Sequence, residues 1–404
     1  MRRPAALLVT LAVLAGCTAG PAPSGPQKQA TNQASLQGSP SASPAPSAGT
    51  STATTAGAIP PAQRCAAKVV AAMTPAERAG QLVMVGVTDA GGYEVAVLRR
   101  HHIGSVIIMG QHGGGVRAAR QLTSRLVWKG RHTPVLVAVD QEGGLVQRLT
   151  GPGFSDMPAA KVQAGWRVST LKSRAARWAR QLASAGVHLT LAPVADVVPA
   201  HLARRNAPIG RLQRGYGSDP DVVAHKVAAF VEGMESSGVA TSAKHFPGIG
   251  RVVGNTDVST RVTDSVTTAK DAYLEPFRAA VEAEGSSIMV SSAVYDRIDP
   301  HHQAVYSPKV LGLLRDTMGF GGVIVSDDLG SARSVSWLAA RRRGVLFIQA
   351  GGDLAITVDP QLADEFVDGI TAAAKRSTTV AGQVAAAATR VVALKVKLGL
   401  VPCR

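Results

Sequence analysis

The chain has 404 residues, 46% of them apolar, enough for one large domain or two ordinary ones with a substantial core. Its formal charge is +16, yet no RNP, zinc-finger or basic-zipper pattern accompanies that charge, so no nucleic-acid partner is expected. Residues 1–16 read as a signal peptide, with a basic Met1-Arg2-Arg3-Pro4 start and an apolar run from Ala5 to Ala15 that is too short to span a bilayer stably.

The run ends in Leu14-Ala15-Gly16-Cys17, which resembles the lipobox of bacterial lipoproteins. That resemblance implies a lipidated Cys17 and an extracytoplasmic protein anchored to the cell membrane. Residues 17–60 are rich in Ala, Ser, Thr, Pro and Gly and nearly free of large apolar side chains. Such a segment cannot build a core and is expected to be a disordered tether. The basic charge suits a protein near anionic lipid or wall polymer. The remaining cysteines, Cys65 and Cys403, bracket the folded region of residues 61–404. An exported address permits oxidation, so a disulfide between them is expected; the alternative is two free, partly buried thiols.

From Cys65 onward, eight short apolar runs recur: Leu82–Val85, Ser105–Met109, Val135–Val139, His188–Ala192, Val239–Ala243, Ser287–Val290, Val323–Val325 and Val345–Ile348. Segments with helical patterning separate most of them, the clearest being Arg117–Trp128, Leu171–Ala185, Asp221–Ser236, Asp271–Ala283 and Ser307–Thr317. Strands alternating with helices argue for a parallel sheet, and eight strands in one domain argue for a single (β/α)8 barrel of the TIM type. No G-x-G-x-x-G follows the first run, which counts against a dinucleotide fold. Polar residues follow the runs: Asp140, Asp196, Lys244 with His245, Ser291 with Ser292, Asp327 with Asp328, and Asp353. A barrel brings its strand ends to one face, where its chemistry is done.

Three motifs are dense. Asp140-Gln141-Glu142-Gly143-Gly144 pairs carboxylates that can accept sugar hydroxyl protons with glycines that let backbone approach a ligand, and Arg148 follows. Ala243-Lys244-His245-Phe246-Pro247-Gly248 sets a cation and an imidazole at a strand end before a Pro/Gly-rich loop. Gly322 to Leu329 delivers Asp327 and Asp328 on a buried strand; their side chains diverge, so one of them points into a pocket. A carboxylate there is a competent nucleophile toward an anomeric carbon. A Schiff-base role for Lys244 is the weaker reading beside these motifs. A metal hydrolase is also weak, because the histidines lack H-x-x-x-H spacing.

In this order, with Met73-Thr74-Pro75 before them and Leu191 to Asp196, Pro276-Phe277 and Ala350 to Asp353 among them, the motifs resemble family 3 glycoside hydrolases. The likeness is to the single-domain bacterial β-N-acetylglucosaminidase branch. It implies a TIM-type barrel, two-step retaining hydrolysis without a cofactor, and a glycan substrate such as peptidoglycan fragments. It also implies Asp327 as nucleophile, and Asp140, Arg148, Lys244, His245 and Arg214 as residues that hold the sugar. A monomer is expected. The branch usually reads KHFPGHG and then Asp-Ser-His, whose His is its acid/base. Here Ile249 replaces the first loop His, and Asn255-Thr256-Asp257 stands where Asp-Ser-His is expected. Ser292 stands where another His often occurs. Asp257, the one carboxylate of the loop before Asp264, is therefore the candidate proton donor. The alternative is a catalytically weak or inactive sugar-binding lipoprotein that retains the barrel.

Overall fold

The computed structural model describes residues 60–126 and 133–403, so the expected signal peptide, Cys17, the tether and Trp128 lie outside the described residues. Eight strands form the closed, all-parallel barrel: β1 Val83–Val87, β2 Ser105–Ile108, β3 Leu136–Val139, β4 Leu189–Thr190, β5 Ala240–Phe246, β6 Ser287–Val290, β7 Val323–Asp328 and β8 Leu354–Thr357. Each strand pairs with the next, and β8 closes on β1 with Ala355 opposite Val83. Most of the strands are Val- and Ile-rich because side chains fill the barrel on one face and meet helices on the other, leaving little room for a polar alternation.

The helices are α1 Pro61–Ala71, α2 Pro75–Gln81, α3 Gly92–Arg100, α4 Gly115–Leu126, α5 Ala160–Gln163, α6 Val168–Ser184, α7 Pro220–Glu235, α8 Glu275–Glu282, α9 Pro308–Gly312, α10 Ala340–Gln349, α11 Ala363–Arg376 and α12 Thr378–Lys397. Their starts follow from local chemistry. Thr74 and Glu77 form a reciprocal capping box at α2, and the Ser307 hydroxyl accepts from the Val310 N–H ahead of α9. The last turn of the predicted Ser307–Thr317 helix is π-wound, over Leu313–Thr317. Helix α12 is long and apolar enough to cross a bilayer, but Val380, Val384, Ala387, Val391 and Leu394 put its apolar stripe into the core of the domain. Cys65 on α1 is joined to Cys403 by a disulfide, with Cα atoms 5.8 Å apart.

The eighth apolar run is not the eighth strand. Val345–Ile348 lies within α10, where Gly344, Phe347 and Ile348 are buried at helical spacing. The helix ends at Ala350, Gly351 takes a positive φ of 107°, and the chain reverses into β8 at Leu354. A four-residue apolar run has no period of its own, and Gly344 before it with Gly351 after it makes it read like a strand. Asp353 consequently precedes its strand. It lies at the barrel's closed end, where its carboxylate accepts from the Ile324 N–H at 2.8 Å, Arg390 at 2.9 Å and Arg315. It belongs to the packing of that end, not to the open face where the other strand-end residues gather.

Candidate active site

At the open face, β5 ends in Lys244 and His245, both buried. The Lys244 ammonium donates to Asp140 Oδ1 at 2.6 Å and lies 2.7 Å from Glu142 Oε1. Glu142 also receives two bonds from Arg214, Nε to Oε2 and Nη2 to Oε1, each at 2.8 Å. Two carboxylates and two cations thus form one balanced, interlocked set. Burial alone raises the Glu142 carboxyl, but Arg214 and Lys244 outweigh it and hold it well below the usual carboxylate range. Burial lowers Lys244, and Asp140 with Glu142 reverses that, so the lysine is held more firmly protonated than usual. The fork geometry of Arg214 on Glu142 also fixes its plane, since Nη1 is committed to the Pro208 carbonyl at 2.9 Å.

His245 is oriented from behind. Its Nδ1 lies 2.7 Å from Oδ2 of fully buried Asp196, which leaves Nε2 for the cavity. Asp196 Oδ1 accepts from the backbone N–H groups of Ile249, at 2.7 Å, and His245, at 3.3 Å. The loop after β5 is pressed onto this segment. A Cβ added at Gly250 would sit 1.9 Å from the Val197 carbonyl oxygen, so glycine alone permits the approach. The peptide bonds Lys244–His245 and Phe246–Pro247 are both cis.

The two aspartates of β7 diverge as their adjacency requires. Asp328 accepts from the N–H groups of Gly330, Ser331 and Val358 and so closes the turn after the strand. Asp327 accepts one bond, from the Asp328 N–H at 2.9 Å, and turns to the cavity. Burial pushes its carboxyl up to about 6; the charge of His245 opposes the shift and that of Asp257 adds to it.

One cavity of about 300 Å³ gathers Asp140, Glu142, Arg148, Arg214, Lys244, His245, Asp257 and Asp327. Every sugar-gripping candidate and both catalytic candidates line it. Arg148 makes no side-chain bond among the described residues and is free to meet a ligand. Asp257 is exposed, on a loop whose N–H donates to Asn255 Oδ1 at 3.0 Å. That loop is held by backbone: the N–H groups of Arg333 and Ser334 donate to the carbonyls of Asp257 and Thr256, at 3.0 and 3.1 Å. Ser292, just after β6, is bonded to Ser334 at 2.8 Å, which ties the Arg333–Ser334 segment to a third one. Among the described residues no group of three His, Cys, Asp or Glu side chains is arranged to hold a metal ion.

Three supporting residues have roles that only the fold shows. Glu142, paired with Asp140 at a spacing of two in the sequence, balances Lys244 and Arg214 rather than standing free for a hydroxyl. Asp196 is marked in the sequence only by its place at a strand end. Asn206 gave no signal. Its fully buried amide donates to the carbonyls of Ile249 and Val252, each at 2.8 Å, and accepts from the N–H groups of Ile209 and Gly210. It thereby clamps the loop that leads to Asp257 onto the loop that leads to Arg214.

The sequence matches the glycosyl hydrolase family 3 N terminal domain over residues 74–394. The crystal structure of β-N-acetylhexosaminidase from Beutenbergia cavernae superposes with a TM-score of 0.77 at 41% identity, covering 80% of this chain and 98% of that one. A β-hexosaminidase from Xanthomonas oryzae pv. oryzae is 30% identical over 299 residues, 72% of this chain and 87% of the relative. One from Stenotrophomonas maltophilia is 36% identical over 241 residues, 57% of this chain and 69% of the relative. With the barrel, the carboxylate-lined cavity and a match along most of its folded part, the chain belongs to glycosyl hydrolase family 3 and is a glycoside hydrolase.

Proposed function

We propose that the protein is a retaining exo-β-N-acetylhexosaminidase that removes terminal β-N-acetylglucosamine from wall-derived glycans. The reading rests on the cavity of about 300 Å³, which gathers the hydroxyl-binding groups and the carboxylates Asp327 and Asp257 in one lining. The relatives named β-hexosaminidase support the sugar class.

The steps follow from the groups present. Asp140, Arg148, Lys244, His245 and Arg214 hold the hydroxyls of the terminal sugar. Asp327, ionised, attacks the anomeric carbon as the bond to the leaving oxygen breaks, giving a glycosyl ester. Asp257 gives its proton to that oxygen, then takes one from the water that cleaves the ester and regenerates Asp327. The ammonium of Lys244 and the guanidinium of Arg214 stay charged throughout because Glu142 and Asp140 balance them. Export and a lipid anchor at Cys17 would put this chemistry beside the wall, and the chain would act as a monomer.

A second reading, a sugar-binding barrel with little turnover, draws on the exposure of Asp257 and on Ser292 bonding to Ser334 where a histidine often stands. The two separate in one assay. Release of nitrophenol from 4-nitrophenyl β-N-acetylglucosaminide, well above the matching β-glucoside and β-xyloside, supports the hydrolase. Release from none of the three, with sugar binding retained, supports the second reading.

A further inference from the structure

Helices α4 and α6 pack side by side on one flank of the barrel, where the Thr123 hydroxyl donates to the Ala185 carbonyl at 2.7 Å. Neither helix contains an Asp or Glu. Their outward positions carry Arg117, Arg120 and Arg125 on α4, and Lys172, Arg174, Arg177 and Arg180 on α6, all exposed. Among the described residues the one salt bridge to these cations is Lys172 with Glu232, at 2.7 Å, both ends being solvent-exposed. Helices α7 and α11 mix signs, whereas α1, α10 and α12 also lack Asp and Glu. Of these, α12 has Arg390 and Lys397 paired with Asp353 and Glu235, and α10 has Arg343 buried against carbonyls. A charge that protein neighbours leave unbalanced over two adjacent helices is a field suited to a polyanion.

The start of α6, with α5 just before it in the chain, says which one. Val162 and Val168 are 52% and 44% exposed, beside the exposed cations Lys161 and Arg167. Apolar side chains set among cations gain by entering the boundary between headgroups and acyl chains, whereas a hydrated wall polymer offers them nothing. We propose that the α4–α6 flank is a docking face for an anionic phospholipid surface, separate from the cavity and independent of hydrolysis. It lays the barrel on its side, so the open face looks along the membrane plane rather than into it.

The test is co-sedimentation of the full chain carrying Cys17→Ser, so that no acyl chain contributes. The vesicles are phosphatidylcholine alone or phosphatidylcholine mixed with phosphatidylglycerol. Binding to the anionic vesicles should exceed that to the neutral ones by roughly tenfold or more at low salt and fall as salt is raised. Arg177→Glu with Arg180→Glu should return binding to the neutral level. Arg341→Glu with Arg342→Glu, an equal change of charge on exposed positions of α10, should leave it intact. Arg117→Glu with Arg125→Glu is the second test of the flank should the α6 pair fail to melt like the parent. Equal loss in both the α6 and α10 pairs overturns the proposal, because net charge alone then explains binding. So does no loss in either flank pair, or binding to soluble poly(glycerol phosphate) with none to anionic vesicles.

Discussion

Lys244 and Lys395 are the two most deeply buried lysines among the described residues, and they are in opposite states. Lys244, at the open face, meets two carboxylates within 2.7 Å, and its proton is held more tightly than in water. Lys395, at the closed end, meets only Gln81 Oε1 at 2.7 Å and Thr133 Oγ1 at 3.4 Å, and burial brings it down to about 7. Both are almost inaccessible, at 2% and 0% exposure. Burial does not decide the charge of a lysine; the partner does. The open face has assembled charge and balanced it, as a site that must grip polar hydroxyls requires. The closed end holds a cation that is barely supported, as a packed element with no ligand can.

The sharpest break in that contrast is at Asp327, the open-face carboxylate that the balanced set does not neutralise. Asp327→Ala should lower turnover by roughly 10⁴-fold or more while sugar binding persists. A 2-fluoro glycoside should label Asp327 in the parent protein, and a label on Asp328 or an active Asp327→Ala would end the assignment. Because burial pushes Asp327 up to about 6, kcat/KM should fall as pH drops through that value. For stability the sign runs the other way. The folded carboxyl holds its proton above the unfolded range, so ionising it above about 6 costs stability. Asp327→Asn should therefore melt higher than the parent at neutral pH, and the gain should vanish below the unfolded carboxyl range.

Next in size is Asp257→Ala, expected to slow hydrolysis of natural glycosides by roughly 10²–10⁴-fold. Aryl glycosides with good leaving groups should suffer less, and azide should partly restore their turnover by replacing the base-assisted water. Full activity on a natural glycan would remove Asp257 from the mechanism and turn attention to Asp264, whose carboxylate is already occupied by the Thr267 hydroxyl and two N–H groups.

Glu142→Gln converts Lys244 part of the way toward the condition of Lys395. It removes one of two carboxylates from the ammonium and the directly bonded counter-charge of Arg214, leaving only the more distant Asp140 and Asp196. Breaking a buried pair from one side costs about 3–5 kcal/mol, so the melting temperature should drop, and KM for the terminal sugar should rise more than kcat falls. An unchanged KM would mean that the set is structural and does not orient the sugar grips.

The fold and most of the site were legible in the sequence for a physical reason. Seven barrel strands fall on short, buried, largely apolar runs, most of them rich in Val and Ile, and Asp140, Lys244, His245 and Asp327 sit where those runs stop. Residues that act at a strand end leave such a mark. The misplaced eighth strand shows the limit: Val345–Ile348 is the more apolar run yet is helical, and Leu354–Thr357, beyond the positive φ of Gly351, is the strand. Asn206 and Arg148 show another. Asn206 serves through backbone carbonyls contributed by residues more than 40 positions away, and no local pattern encodes such a partner. Arg148 was found through its motif, but its lack of a partner is visible only in three dimensions. Lys395 was invisible for the same reason, since a lysine in the last turn of a helix reads as an ordinary solvated charge.

Lys395 gives the smallest prediction and the cleanest test of the contrast. In the unfolded chain it titrates near 10.5; in the fold, burial brings it to about 7. Between those values the unfolded chain holds a proton that the native state has released, so stability rises with pH across that window. Below about 7 both states are protonated and the cost of the buried ammonium is present in full; above 10.5 it is gone. His188, the titratable neighbour, is pushed down to about 4 by burial and then by Lys395, and it accepts the Val137 N–H at Nδ1. Its own titration therefore lies below the window. Lys395→Met keeps a flexible chain of similar length, and Gln81 Oε1 still receives the Thr133 hydroxyl at 2.9 Å, so no buried acceptor is left unpaired. The variant should melt a few degrees above the parent on the acid side of neutrality, and the two should converge as pH rises toward the unfolded value. Turnover should not change, because the residue lies at the opposite end of the barrel from the cavity. A variant less stable than its parent on the acid side, or a parent whose stability is flat across the window, would mean that the closed end does pair this lysine after all.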